Sequence, residues 1–167
     1  MLNRESKVRI ILVWITVALI LATLLFIWGN SCQPKQVSAK TSQSVYEKVE
    51  PVLSATFGKG VITHEIFRKI AHSVEFMLLG VELVLFTCLV YGTPYKYTFQ
   101  IIAFGFAVAG LDESIQIISR RGPRITDVLI DGAGLILAIA LIYLLRLIVY
   151  LIQTIIAKKK HRKQNAK

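Results

Sequence analysis

The chain has 167 residues, 54% of them apolar and only 18% charged, with a mean hydropathy of +0.60. Soluble domains sit near about 45–50% apolar with about 25% charged; here the apolar excess falls in blocks, which excludes a soluble enzyme, a disordered tail and a disulfide-rich secreted scaffold. Lys and Arg number 20 against 10 Asp and Glu, a formal charge of +10, and such basicity points to nucleic acid or to an anionic membrane surface.

A membrane-crossing helix needs roughly 20 mostly apolar residues. Four segments qualify: Val8 to Gly29, Ala71 to Tyr91, Tyr97 to Ile118 and Asp127 to Ile148. They predict an all-α polytopic membrane protein, a four-transmembrane-helix bundle forming one domain over residues 1–167. The first segment has no charge after Arg9 and exceeds the roughly 7–15 residues of a signal-peptide core, so it reads as a retained span. In the loop that follows, Val45, Tyr46, Val49, Val52, Leu53 and Phe57 recur at helical spacing. They predict a short amphipathic helix with Ser42 and Ser44 as caps and Pro51 as the place where it ends or kinks.

Orientation follows from the basic residues beside the spans. Arg4, Lys7 and Arg9 precede the first span; Lys158, Lys159, Lys160, Arg162, Lys163 and Lys167 fill the tail 157–167 with no acid among them. Both termini are therefore expected in the cytoplasm, which requires an even number of spans. The tail is a topology anchor; it offers no folded basic face or stacking aromatics, so no nucleic-acid partner is expected. The loops at 30–69 and 119–126 then lie outside and the turn at 92–96 inside. Arg120, Arg121 and Arg124 run against the positive-inside tendency, so they serve something other than topology. Cys32 outside and Cys88 near the inner face cannot pair, and neither has the neighbours of a zinc site. Gly29 stands where a lipobox before Cys32 would carry Leu.

Ionisable groups within spans cost about 2.5–3.5 kcal/mol each and face a bundle interior or a water-filled cavity. Arg68, His72, Glu75 and Glu82 follow a 4-3-7 spacing and share one helix face. Asp112 lies 15 residues into the third span, or roughly 22 Å up at 1.5 Å per residue. Asp112, Glu113 and Gln116 thus reach the outer third, level with Asp127 and Asp131 at the mouth of the fourth span. Gly132 and Gly134 beside them favour close helix approach. A polar pocket in the outer leaflet follows, rimmed by Arg68, Lys69, Arg120, Arg121 and Arg124.

His72 and Glu75 admit three readings: a buried contact between spans, a ligand contact, or a general acid–base pair. Asp112 and Glu113 point about 100° apart on a helix, so one of them, Asp112, is expected to face the cavity with Gln116. It would pair with Arg121 or Arg124, touch a ligand, or join His72 and Glu75 as a catalytic candidate. Asp127 is placed to cap its helix; Asp131 is too deep for that and needs a partner, and Glu82 sits in mid-span. Asp112, Asp127, Asp131 and His72 would suit a hard cation, but no spacing requires one, so no metal or other cofactor is expected. No phosphate-cradling glycine loop, nucleophile elbow or thiol motif is present.

The stretches RKIAHSVEFMLLG, Arg68 to Gly80, and LDESIQIISRRGPRITDVLIDGAG, Leu111 to Gly134, resemble the VanZ-like family of bacterial membrane proteins. The first is similar to its Arg-Lys, His, Glu-aromatic pattern. The second is similar to its Asp-Glu-x-x-Gln, arginine loop and Asp-Val-x-x-Asp/Asn-Gly pattern. Ser119-Arg120 stands where many members have Pro-Gly, and the loop arginine matches Arg121. The resemblance implies a membrane protein of Gram-positive-type bacteria associated with resistance to glycopeptide and lipoglycopeptide antibiotics, teicoplanin in particular: a phenotype rather than a reaction.

The expected ligand-binding set is Arg68, Lys69, His72, Glu75, Asp112, Glu113, Gln116, Arg121, Arg124, Asp127 and Asp131. Expected partners are membrane lipids and a phosphate-bearing lipid or cell-wall precursor, since Arg presents a planar fork to phosphate. Two alternatives stand beside binding: an enzyme modifying an envelope lipid with His and carboxylate chemistry, and an accessory subunit of an envelope complex. The sequence does not specify an oligomeric state.

Overall fold

The computed structural model describes residues 4–119, 122 and 124–164, with side chains through 159. Five helices follow one another: α1 (Arg4–Cys32), α2 (Lys35–Phe57), α3 (His64–Tyr91), α4 (Thr98–Ile118) and α5 (Ile125–Gln164), with a 3₁₀ turn at Tyr95–Tyr97 before α4. Four of them, α1, α3, α4 and α5, are long and apolar enough to cross a membrane. The expected all-α bundle is therefore present.

Each helix gives one stripe to a shared core. In α1 it is Thr16, Thr23, Leu24, Ile27 and Ser31, at three-, four- and seven-residue steps that return to one face. Leu24 and Ile27 belong to one buried cluster with Phe76, Leu79 and Val84 of α3, Ile101, Val108 and Ala109 of α4, and Leu135 and Ile139 of α5. Most other apolar residues face outward, Leu25, Phe26, Leu85 and Leu144 among them, as a bundle solvated by lipid requires.

The α3–α5 pair is the principal packing contact, and glycines of α5 set how closely it meets both α3 and α4. A Cβ on Gly134 would collide with the backbone and hydroxyl of Ser73, and one on Gly132 with the Phe106 ring. Close approach at these two residues matches the sequence expectation.

The helices exceed the predicted spans. α3 begins two turns before Ala71, where Thr63 Oγ1 accepts the Ile66 N–H at 3.4 Å, and α5 continues as helix into the basic tail. The larger correction is α2. It starts behind Pro34, places Ser42 and Ser44 inside rather than at a cap, and runs through Pro51 without ending there. Pro at position 34 presets the φ of a helix entry and the chain needs no hydroxyl cap. Tyr46, Val49 and Leu53 are half-buried, whereas Val45, Val52 and Phe57 stay exposed, so the predicted apolar set divides between two faces. Tyr46 anchors the helix: its hydroxyl donates to the Ile62 carbonyl at 2.8 Å, and its ring meets those of His64 and Phe67.

The bundle has two unlike ends. One holds the start of α1, the end of α5 and the 3₁₀ turn. There Arg9 of α1 donates to the carbonyls of Leu89 and Val90, at 2.5 and 2.9 Å. The other, the capped end, gathers the last turn of α1, α2, the start of α3, the end of α4 and the start of α5. Cys32 is at the capped end and Cys88 near the opposite one, and both are free thiols.

Candidate functional site

At the capped end a cavity of about 390 Å³ opens between α2, α3, α4 and α5. The first turns of α3 supply most of its wall. His64, Arg68 and His72 fall at four-residue steps and line it together, with Glu65 and Lys69 beside them. α2 adds Lys35 and Ala39, α4 adds Gln116, the loop adds Gly122 and Arg124, and α5 adds Asp127, Ile130 and Asp131. Of the residues expected from sequence, Arg68, Lys69, His72, Gln116, Arg124, Asp127 and Asp131 thus meet at one cavity. Arg120 and Arg121 lie outside the described residues.

The charges are unequally engaged. Glu65 draws on two cations, Lys69 at 3.4 Å and Arg124 at 3.3 Å; Glu65 and Arg124 are well exposed and Lys69 partly so, and such pairs contribute about 0–1 kcal/mol. Among the described residues Arg68 and Lys35 make no ion pair, and Arg68 is half-buried in the wall.

Behind the wall lies a carboxylate-rich layer. Asp112 is fully buried, and Gln116 Nε2 donates to its Oδ2 at 2.9 Å. Glu113 is also buried; its Oε2 accepts the Arg124 backbone N–H at 2.8 Å. Neither acid reaches the cavity surface, which corrects the expectation that Asp112 would face it. The i,i+4 geometry of α4 turns Asp112 toward Gln116, and Glu113 holds the loop backbone instead. Nor does Arg124 pair with Asp112, because its guanidinium is drawn to Glu65 at the surface. On α3, Asn30 of α1 hydrogen-bonds the Glu75 carboxylate. His72 Nδ1 lies 3.8 Å from Glu75 Oε2, beyond hydrogen-bond range and close enough to pair once the ring is protonated.

The acids of α5 differ from one another. Asp127 sits in the first turn, where its N–H donates to the Arg124 carbonyl at 2.9 Å and its carboxylate faces the favourable end of the helix dipole. Asp131, one turn deeper, is 2% exposed, lines the cavity, and has an Oδ1 with no hydrogen-bond partner. Glu82 lies well below the site, where Thr23 of α1 donates to its Oε1 at 2.9 Å; this is the partner that sequence spacing did not disclose. Among the described residues no three His, Cys, Asp or Glu side chains are arranged to hold a metal ion.

Sequence reasoning missed Lys35, Ala39, His64, Glu65, Gly122 and Ile130. His64 was recoverable, since it extends the Arg68–His72 stripe by one turn toward the amino end. Lys35 was not, because its place depends on where α2 docks: Ser42 Oγ lies 2.9 Å from His64 Nε2.

No curated protein and no solved structure matches the chain. The VanZ/LLP1 family model does, over residues 10–146. That stretch contains α3 and α4, most of α1, the first half of α5 and every described residue of the cavity wall, and on this match the chain belongs to the VanZ-like family.

Proposed function

We propose that the cavity binds the phosphate-bearing head group of an envelope lipid or cell-wall precursor, and that the chain contributes in this way to glycopeptide or lipoglycopeptide (teicoplanin-type) resistance. The carrying observation is Arg68, half-buried in the wall without an ion pair among the described residues. A guanidinium in that state lacks an acceptor, and phosphate offers two in a matching plane. Lys35 at the rim adds a second cation without an ion pair among the described residues. The proposed orientation places the capped end outside and both termini in the cytoplasm of a bacterial cell, as the basic ends favour.

The direct test is calorimetry on the full-length protein in micelles, with glycerophosphoglycerol as probe. Arg68→Gln should weaken binding by about ten- to a hundredfold, the worth of one charge-assisted hydrogen-bonded pair. Unchanged affinity would remove Arg68 from the mechanism. In cells, Arg121→Ala at wild-type membrane levels should abolish resistance; full resistance would oppose a role for the loop arginine.

A second reading is acid–base modification of an envelope lipid. His72 in the wall with Glu75 behind it at 3.8 Å favours it. It requires a lipid whose mass changes with the wild-type protein and not with His72→Ala.

A further inference from the structure

Arg68 and Lys35 answer to an anion; they leave the opposite side of the cavity unexplained. Asp131 is 2% exposed, lines the cavity, and has an oxygen without a hydrogen-bond partner. No described residue forms an ion pair with it. Four acids add to the difficulty: Asp112, Asp127, Glu113 and Glu75 all act on it electrostatically and all carry its own sign. A buried carboxyl in such company lacks a donor. Asp112 Oδ1 and Glu75 Oε2 also lack hydrogen-bond partners, but neither residue lines the cavity; the open position at its wall belongs to Asp131, and Asp127 lines the same wall one turn nearer the mouth.

The cavity is therefore bipolar. Among the described residues its α2–α3 side presents two cations without an ion pair, Arg68 and Lys35, and its α5 side a buried acid without one. From this we infer that the ligand is a zwitterion: a phosphate carrying a primary ammonium on a short arm, with the phosphate held by Arg68 and Lys35 and the ammonium donating to Asp131. The inference rests on the phosphate reading above and narrows it. Its chemistry fits two sources, an aminoalkyl phosphodiester such as a phosphoethanolamine head group, or an aminoacyl ester of a polyol phosphate. A plain anionic lipid would leave Asp131 as it stands. A bare metal ion would satisfy the acid and leave Arg68 unanswered.

The experiment is calorimetry on the full-length protein in micelles with four probes: glycerophosphoethanolamine, alanyl-glycerol phosphate, glycerophosphocholine and glycerophosphoglycerol. At least one primary-amine probe should bind about tenfold or more tightly than glycerophosphoglycerol, and the tighter of the two names the source. Glycerophosphocholine, whose ammonium has no N–H, should lose most of that advantage. Asp131→Asn should erase the preference, whereas Asp131→Glu should preserve it. Because the wild-type comparison needs no variant, a misfolded Asp131→Asn protein would not shield the inference. Equal affinity for amine-bearing and amine-free probes overturns the zwitterion and leaves the phosphate pocket standing. Failure of all four probes to bind overturns both.

Discussion

Gly134 of α5 rests against Ser73 of α3 so closely that a Cβ at position 134 would lie 2.6 Å from Ser73 Oγ and closer still to the Ser73 carbonyl. This contact lies one turn below Asp131 on α5 and beside His72 on α3. The separation of the two cavity walls is therefore set by a residue that takes no part in binding.

Gly134→Ala should force α3 and α5 apart and cost about 1–3 kcal/mol, the usual penalty of overpacking. Gly110→Ala is the matching control, since nothing lies within 4 Å of the added carbon; there the better helix propensity of Ala makes the change neutral or stabilising. Thermal unfolding of the two variants in one detergent separates the cases. Equal transition temperatures would refute the tight contact.

Glu113 should govern the loop rather than the ligand. Its carboxylate accepts the Arg124 N–H at 2.8 Å, a bond to a charged acceptor of the kind that contributes about 1.5–3 kcal/mol. Glu113→Ala is expected to speed hydrogen exchange at the Arg124 amide by about tenfold or more. Ser114→Ala, on the exposed face of the same helix, should leave that exchange alone. Slow exchange in Glu113→Ala would show that the loop is held by other means.

The buried pair below the site has a non-additive signature. Thr23 Oγ1 donates to Glu82 Oε1 at 2.9 Å, and the second oxygen of Glu82 has no hydrogen-bond partner. Thr23→Val alone removes the donor that serves this buried carboxyl and should cost about 1–3 kcal/mol. The double change Thr23→Val, Glu82→Leu removes both polar groups and should recover most of that loss, as replacing a buried polar pair with packed apolar groups often does. Additive losses would mean that the two residues stabilise the bundle independently.

The native cysteines report the proposed orientation. Cys32 is exposed at the capped end and Cys88 is half-buried near the other. An impermeant maleimide applied to intact cells should label Cys32 and reach Cys88 only after permeabilisation. The reverse pattern would put the cavity in the cytoplasm and end the extracytoplasmic proposal.

The four long helices were legible because hydrocarbon demands runs of apolar residues and little else in this chain supplies them. Seven residues now in the cavity wall were legible because ionisable groups within spans must face inward and four-residue spacing aligns them. What escaped the sequence depends on docking. The position of α2 rests on Tyr46 and Ser42 meeting the α3 entry, and the apolar spacing of its later turns does not announce Lys35 as a wall residue. Helix angle alone selects Asp112 over Glu113 to face the cavity, yet both are buried and neither lines it. The loop after α4 folds back to meet Glu113, and a helical wheel cannot anticipate a partner that arrives from a turn.

Arg9 has a wider bearing than its place near the amino terminus implies. The last carbonyls of a helix have no partner of their own, and those of Leu89 and Val90 are served by this one side chain. The same helix sends Thr23 to Glu82 and, at its far end, the Ser31 carbonyl to the Ser119 hydroxyl at 2.9 Å. Fastened at top, middle and bottom, α1 behaves as a strut whose excision would strip polar partners from α3 and α4 at three depths.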